Sequence, residues 1–101
     1  MMARFLLLLA LASRATADEA DTLLRQALAA EARLDSRAAL QLFAQADAVR
    51  PNDAFILQKI ARQYSDLVVD QPDVAGKKRY ARTALDYAER AVALESLPGN
   101  A

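Results

Sequence analysis

The 101-residue sequence predicts an all-α fold, and three of its properties lead to that prediction. Alanine and leucine, both strong helix formers, together occupy 40 positions. Valine, isoleucine and threonine number only 10, which is too few for a β-sandwich or a parallel sheet. From Asp18 onward, apolar residues recur three and four positions apart, the spacing of one helix face. We therefore expect one small helical domain at 18–101, built from two antiparallel helix-turn-helix pairs.

Residues 1–17 have the pattern of a secretory signal peptide. A positive start that includes Arg4 precedes the apolar run FLLLLALA at 5–12, and the sequence ATA at 15–17 has the small-x-small form of a signal-peptidase site. Eight apolar residues in a helix span about 12 Å, well short of the roughly 30 Å hydrocarbon core, so no stable membrane span is expected. We expect export, periplasmic or secreted, after cleavage near Ala17. The alternatives are a membrane tether by an uncleaved segment, a mitochondrial presequence, and a helix that packs on the domain.

The first two helices are predicted in the segment before Pro51. Asp18 or Asp21 can accept hydrogen bonds from the free N–H groups of a first helical turn, so the first helix is expected to begin there. Asp35 can cap the second helix, which ends before Pro51 because proline disfavours helical geometry in the preceding residue. The predicted inward positions are Leu23, Leu24, Ala27, Leu28, Glu31 and Leu34 in the first helix and Ala39, Leu42, Phe43, Ala46 and Val49 in the second.

The third and fourth helices are separated by a break that contains Pro72. Asn52 or Asp53 can cap the third helix, and Gly76 is expected to make the break pliable. The fourth helix is predicted at about 77–94. The predicted inward positions are Ile56, Leu57, Ile60, Ala61, Tyr64, Leu67 and Val68 in the third helix and Tyr80, Ala81, Ala84, Leu85, Ala88, Ala91 and Val92 in the fourth.

The second and fourth helices share a series of small and larger residues, which indicates an internal repeat. The series reads Ala39, Phe43, Ala46 and Pro51 in the second helix and Ala84, Ala88, Ala91 and Ser96 in the fourth, where Pro98 follows two residues late. It resembles the second helix of the tetratricopeptide (TPR) repeat, and the resemblance implies a TPR-like α-solenoid with units at about 20–53 and 54–96. An ordinary array of four alanine-rich helices is the alternative.

The second unit is longer than the TPR pattern by an insertion of 11 residues around 65–78. With this insertion, the sequence LQKIARQYSD at 57–66 and the later Lys77, Lys78 and Tyr80 are similar to the regulator of microtubule dynamics proteins, which are TPR-like with lengthened helices and an N-terminal hydrophobic segment. A cleaved signal would place this domain away from cytoplasmic filaments. The resemblance therefore does not imply a microtubule role for this chain.

The composition argues against an enzyme and against a cofactor or metal site. The sequence contains no cysteine and no histidine, so it lacks a thiol nucleophile, an imidazole base and the usual zinc ligands. Asp66, Asp70 and Asp73 would share one helix face, but Pro72 interrupts that helix and no glycine punctuates the run as in a calcium loop. We predict no catalytic residue, no metal and no cofactor.

The charge balance argues against nucleic-acid binding. The chain has 13 basic and 13 acidic residues, so it carries no excess positive charge for a phosphate backbone. The basic cluster at 77–79 with Arg82 could contact an acidic partner, a phosphate or a membrane surface. The simpler interpretation pairs Arg82 with Asp86 at helical spacing.

The TPR resemblance implies a concave partner-binding face that is lined by the first helix of each pair. By repeat position this face takes Phe55, Gln58, Arg62, Ser65 and Asp66 from the second unit and Asp21, Leu24, Leu28 and Glu31 from the first. Phe55 and Arg62 are the strongest candidates for contact with a protein or peptide. The alternative is structural, with Phe55 packed on the next helix and Arg62 paired with Asp66.

The last helix is expected to leave an open end. Stacked repeats bury their apolar faces on neighbours, and about three units are usual for stability where this sequence contains two. Tyr87, Val92 and Leu94 would then be partly exposed. Two functions follow: an exported, non-catalytic TPR-type module that binds a protein or peptide, which we prefer, or a structural element whose open helix face packs on further repeats, a partner or a second copy.

Overall fold

The fold is given by a computed structural model, which describes the backbone of residues 2–97 and the side chains of residues 16–97. Within these residues the regular structure is entirely helical, and no strand is present. The elements are α1 at Met2–Ala32, α2 at Ser36–Val49, α3 at Ala54–Leu67, a 3₁₀ turn at Val68–Asp70, and α4 at Val74–Glu95. The predicted all-α fold with four helices is confirmed.

Each helix packs on the next one along the chain, so α1 with α2 and α3 with α4 form two pairs, joined by the contact of α2 with α3. The side chains of Phe43, Ile56 and Ile60 are buried at the boundary between the pairs. Small side chains let α1 and α2 approach closely, and this part of the core contains Ala27, Ala30, Ala39 and Ala46. Phe43 fills the space that these methyl groups leave, and burial of such a ring contributes about 1.5–3 kcal/mol.

Three aspartates begin the later helices. Asp35 accepts a hydrogen bond from the backbone N–H of Ala38, and Asp53 accepts from two N–H groups of the first turn of α3. Asp73 accepts a 2.6 Å bond from the N–H of Gly76. Asp53, rather than Asn52, is therefore the cap of α3. Each cap satisfies backbone donors that have no partner within the helix.

Both ends of α1 differ from the prediction. The helix continues through Asp18 and Asp21, so neither residue is an N-cap. It ends at Ala32, and Leu34, predicted to close the apolar face, is instead 89% exposed with a φ of 62°. This left-handed residue allows the N–H of Asp35 to donate to the carbonyl of Ala30 across the helix end, and the backbone reversal points the Leu34 side chain away from the core.

The inserted segment forms the end of α3, the 3₁₀ turn and the first turn of α4. α4 begins at Val74 rather than Lys77, and it has 22 residues where α2 has 14. Gly76 does not make a pliable break: it is buried in the first turn of α4, where the cap of Asp73 lies against it. Lys77 donates hydrogen bonds to the carbonyls of Val69 and Gln71, and so closes the end of the 3₁₀ turn.

Two sequence predictions fall on residues whose side chains the structure does not describe. For the predicted signal peptide at 1–17, the structure describes the backbone from residue 2 but no side chain before residue 16, and Pro98 of the predicted repeat series lies outside the described residues. Among the helices that the structure describes, none has an apolar stretch long enough to cross a membrane.

Candidate functional site

The five residues predicted to contact a partner lie along one exposed side of α3. Their spacing of three and four positions keeps Phe55, Gln58, Arg62 and the adjacent Ser65 and Asp66 on neighbouring turns, and all five side chains are exposed. We call this surface the α3 face. Its first residue, Phe55, is 46% exposed, so half of an aromatic ring is open to solvent at one end.

The α3 face is held in place by a polar contact with α1. The ammonium group of Lys59 lies 2.7 Å from one carboxylate oxygen of Glu31, and the amide of Gln63 donates a 2.6 Å hydrogen bond to the other. Gln63 is buried, and the side chains of Glu31 and Lys59 are each only 19% exposed. A charged pair at this depth is screened little by solvent, so it fixes α3 relative to α1.

The same contact orders the ring at the end of the α3 face. The Lys59 ammonium lies 5.6 Å from the centroid of the Phe55 ring, within the range of a cation–π contact. Because Lys59 is also paired with Glu31, its position is fixed from two sides. The Phe55 ring is thus contacted by a side chain of its own helix, α3.

Arg62 is the free cation of the α3 face. The alternative pairing with Asp66 is not formed in the structure, and within the described residues no carboxylate lies in ion-pair distance of the Arg62 guanidinium. The side chain is exposed on the second turn after Phe55. An exposed ring and an unpaired guanidinium are the residue types most often found at the centre of protein interfaces.

The first-unit positions contribute less than the TPR resemblance implies. The Glu31 carboxylate is already bound by Lys59 and Gln63 of α3. Asp21 forms a 2.7 Å ion pair with Arg50, whose guanidinium also donates a hydrogen bond to the carbonyl of Ala17. Leu24 is half-buried, whereas Leu28 is 39% exposed. The α1 side of the candidate site therefore offers one exposed apolar residue and two carboxylates that already have partners.

Three tyrosines connect α3 to α4. The ring of Tyr64 lies edge-on to Tyr80 at 5.3 Å between centroids and is stacked on Tyr87 at 5.9 Å. Burial, with smaller electrostatic effects of Tyr87 and Tyr80, raises the pKa of the Tyr64 phenol above its ordinary 10.0. Tyr87, predicted to be an exposed end contact, is thus half-buried in this cluster. The seven-residue spacing of Tyr80 and Tyr87 was a signal for one shared helix face.

The outer side of α4 carries other predicted contacts. Val92 is 60% exposed, while Leu94 is half-buried beside Asn52, which precedes α3, and Ala54, the first residue of α3. Leu85 was predicted to face inward, and this prediction is wrong, because the side chain is 53% exposed. Ala81 is also exposed. Both residues lie outside the side of α4 that packs on α3, which carries Gly76, Tyr80, Tyr87 and Ala91.

The basic cluster divides into a structural and an exposed part. Lys77 is engaged with backbone carbonyls, whereas Lys78, Arg79 and Arg82 line a shallow depression with Leu85 on the outer side of α4. The predicted pairing of Arg82 with Asp86 is not formed in the described structure. These three cations are therefore open to solvent.

The aspartates considered for a cation site have other surroundings. Asp73 caps α4, Asp66 lies on the exposed side of α3, and Asp70 lies in the 3₁₀ turn. Over residues 16–97, whose side chains the structure describes, no group of three or more His, Cys, Asp or Glu side chains could hold a metal ion.

Comparison with known proteins shows the family of the chain. The family model described as Regulator of microtubule dynamics protein 1-3 matches residues 16–101. The resemblance noted from residues 57–66 and from the lysines and tyrosine of α4 is therefore confirmed, whereas a TPR repeat is not, and it stays a prediction. No curated protein and no solved structure matches the chain.

Proposed function

This chain belongs to the regulator of microtubule dynamics protein 1-3 family, and on that premise we propose that its helical domain binds a protein or peptide partner on the α3 face without catalysis. The observation that carries the proposal is the combination of Phe55, half exposed, and Arg62, unpaired, on a helix that Glu31 holds in place. A surface that is rigid before binding loses little conformational entropy when a partner arrives, which favours affinity.

The chemistry of the face suggests the kind of segment that it binds. Phe55 and Arg62 are two helical turns apart, about 10 Å along the axis. An extended peptide spans that distance in about three residues. We therefore favour a partner segment with an apolar side chain for the Phe55 ring and, about three residues away, a carboxylate for Arg62. The exposed Gln58 between them offers hydrogen bonds to the peptide backbone.

We also propose that the domain acts after export, since the segment at 1–17 has a signal-peptide pattern and the family match begins at residue 16. We further propose that the two helix pairs are arranged as in a TPR, which would make the α3 face part of a concave surface. Microtubule binding is not part of the proposal, because an exported domain would not meet cytoplasmic filaments.

The test uses a displayed library of random peptides, selected on the immobilised chain. One enriched peptide is then titrated by fluorescence anisotropy against the native chain and its variants. Phe55→Ala and Arg62→Ala are each expected to weaken binding by about tenfold or more, as for central interface residues. Leu85→Ala and Arg79→Ala remove the same residue classes from the far side of α4 and should bind as the native chain does. Equal weakening by both pairs of variants would show that the α3 face is not the site.

A stability measurement separates loss of contact from loss of fold. The exposed Phe55 ring is expected to contribute at most about 1 kcal/mol to the free energy of unfolding. Phe43→Ala, the same substitution in the core, should cost about 3–5 kcal/mol. If Phe55→Ala destabilised the chain as much as Phe43→Ala, weaker binding would reflect a structural role, and the proposed contact would be withdrawn.

A further inference from the structure

The outer side of α4 has the residue spacing of a helix that packs against another helix. Exposed or half-buried positions follow each other at alternating steps of four and three, which is the seam of a heptad pattern. These positions are Val74, Lys78, Ala81, Leu85, Ala88 and Val92. Val74, Leu85 and Val92 are each more than half exposed, so no described part of the chain covers this seam. We call it the α4 seam.

The charges beside the α4 seam are segregated along the helix. The N-terminal half carries Lys78, Arg79 and Arg82, whereas the C-terminal half carries Asp86 and Glu89. The C-terminal half also contains Arg90, but its guanidinium lies over the Tyr87 ring. An antiparallel helix with the same order of charges would therefore place acidic residues beside the basic half and basic residues beside the acidic half.

The seam is also complementary to itself. Arg82 and Glu89 lie two turns apart on one flank, on either side of Leu85. If a second α4 ran antiparallel about a two-fold axis at 85–86, each Arg82 would lie opposite Glu89 of the other copy, and the two Leu85 side chains would meet at the centre. An interface between two identical copies requires a surface that is complementary to itself in the antiparallel direction. A surface that binds a different protein does not require this self-complementarity.

We infer that the α4 seam is the interface of an antiparallel homodimer of this chain. It lies on α4 and shares no residue with the α3 face, so Phe55 and Arg62 are not part of the interface and the inference does not depend on the proposed function. One helix face of 22 residues is about 33 Å long, which makes a small interface, so a dissociation constant in the micromolar range is expected.

Charge reversal tests this arrangement. The chain and its variants, all with the same N-terminus, are compared by sedimentation equilibrium from about 5 to 500 μM, a range around that dissociation constant. The native chain should fit a monomer–dimer equilibrium. Arg82→Glu and Glu89→Arg should each weaken dimerisation by about tenfold or more, because each creates two like-charge contacts. An equimolar mixture of the two variants should form a heterodimer with nearly native affinity, since every contact is again between opposite charges.

Controls keep the result specific. Arg62→Glu makes the same charge reversal on the α3 face and should dimerise as the native chain does. Leu85→Asp should abolish dimerisation, with an unchanged helical circular-dichroism spectrum because the side chain is exposed. A native chain that is monomeric over the whole range, as expected if further helices or another protein cover the seam, would overturn the inference. So would single variants that dimerise normally, or a mixture that stays monomeric.

Discussion

The amide of Gln63 in α3 donates a 2.6 Å hydrogen bond to the carboxylate of Glu31 in α1, which lies 32 residues earlier in the chain. Lys59 binds the other oxygen of the same carboxylate at 2.7 Å. One acidic side chain thus satisfies a buried amide and a partly buried ammonium, and it joins the first helix pair to the second. This contact underlies the rigidity of the α3 face.

Removal of the Glu31 carboxylate is therefore expected to destabilise the domain. Glu31→Ala leaves the Gln63 amide buried without a partner and should lower the free energy of unfolding by about 3 kcal/mol. Asp21→Ala removes the more exposed ion pair with Arg50 and should cost less than about 1 kcal/mol. Urea unfolding followed by circular dichroism measures both. Equal losses in the two variants would contradict the structural role assigned to Glu31.

The cap of α4 predicts a dependence between two substitutions. Asp73→Ala should cost about 1 kcal/mol, the usual loss for an N-cap. Gly76→Ala would normally stabilise a helix by about 1 kcal/mol, but its Cβ would lie 2.9 Å from the capping oxygen of Asp73. We expect no gain from Gly76→Ala in the native chain and a gain of about 1 kcal/mol in the Asp73→Ala background. Equal effects in both backgrounds, measured by urea unfolding, would rule out the proposed conflict.

The tyrosine cluster predicts a loss of stability in alkaline solution. The pKa of Tyr64 is raised above 10.0 in the folded chain and is about 10 in the unfolded chain. As the pH rises through about 10, the phenol therefore ionises first in the unfolded chain. The unfolded state then binds fewer protons than the native state, and stability falls from about pH 10 up to the folded pKa. Tyr64→Phe should lack this part of the fall while keeping the ring contacts. Identical pH profiles of unfolding free energy for the native and variant chains would contradict the assignment.

Export predicts a defined N-terminus. Produced from its whole sequence in a secreting host, the chain should be recovered with Asp18 first, as read by intact mass spectrometry. Ala15→Phe and Ala17→Phe place large side chains in the small-residue positions and should block cleavage, whereas Ser13→Ala should not. An uncleaved native chain that begins at Met1 and stays in the membrane fraction would favour the tether instead.

Much of the local structure could be predicted because it depends on neighbouring residues. Apolar spacing indicates four helices, and the sequence predicts Asp35 as one cap and Asn52 or Asp53 as another, because a capping side chain needs only the N–H groups two or three residues later. The start of α4 was misplaced because Gly76 was interpreted as a chain breaker. Its cap, Asp73, makes a glycine at that position an advantage.

The sides of the helices were decided by tertiary contacts. The apolar positions of α4 cover more than half of its circumference, so periodicity alone could not say that Leu85 would lie outward; the stacking of Tyr87 on Tyr64 of α3 decides which side of α4 is inward. In the same way, the sequence does not show that Gln63 is buried, because its partner lies 32 residues away. The sequence determined the helices, since a helix is stabilised by residues within a few positions of each other. Only the packing of the two helix pairs decided which side chains are buried and which are exposed and so accessible to a partner, because their contacts join residues far apart in the sequence.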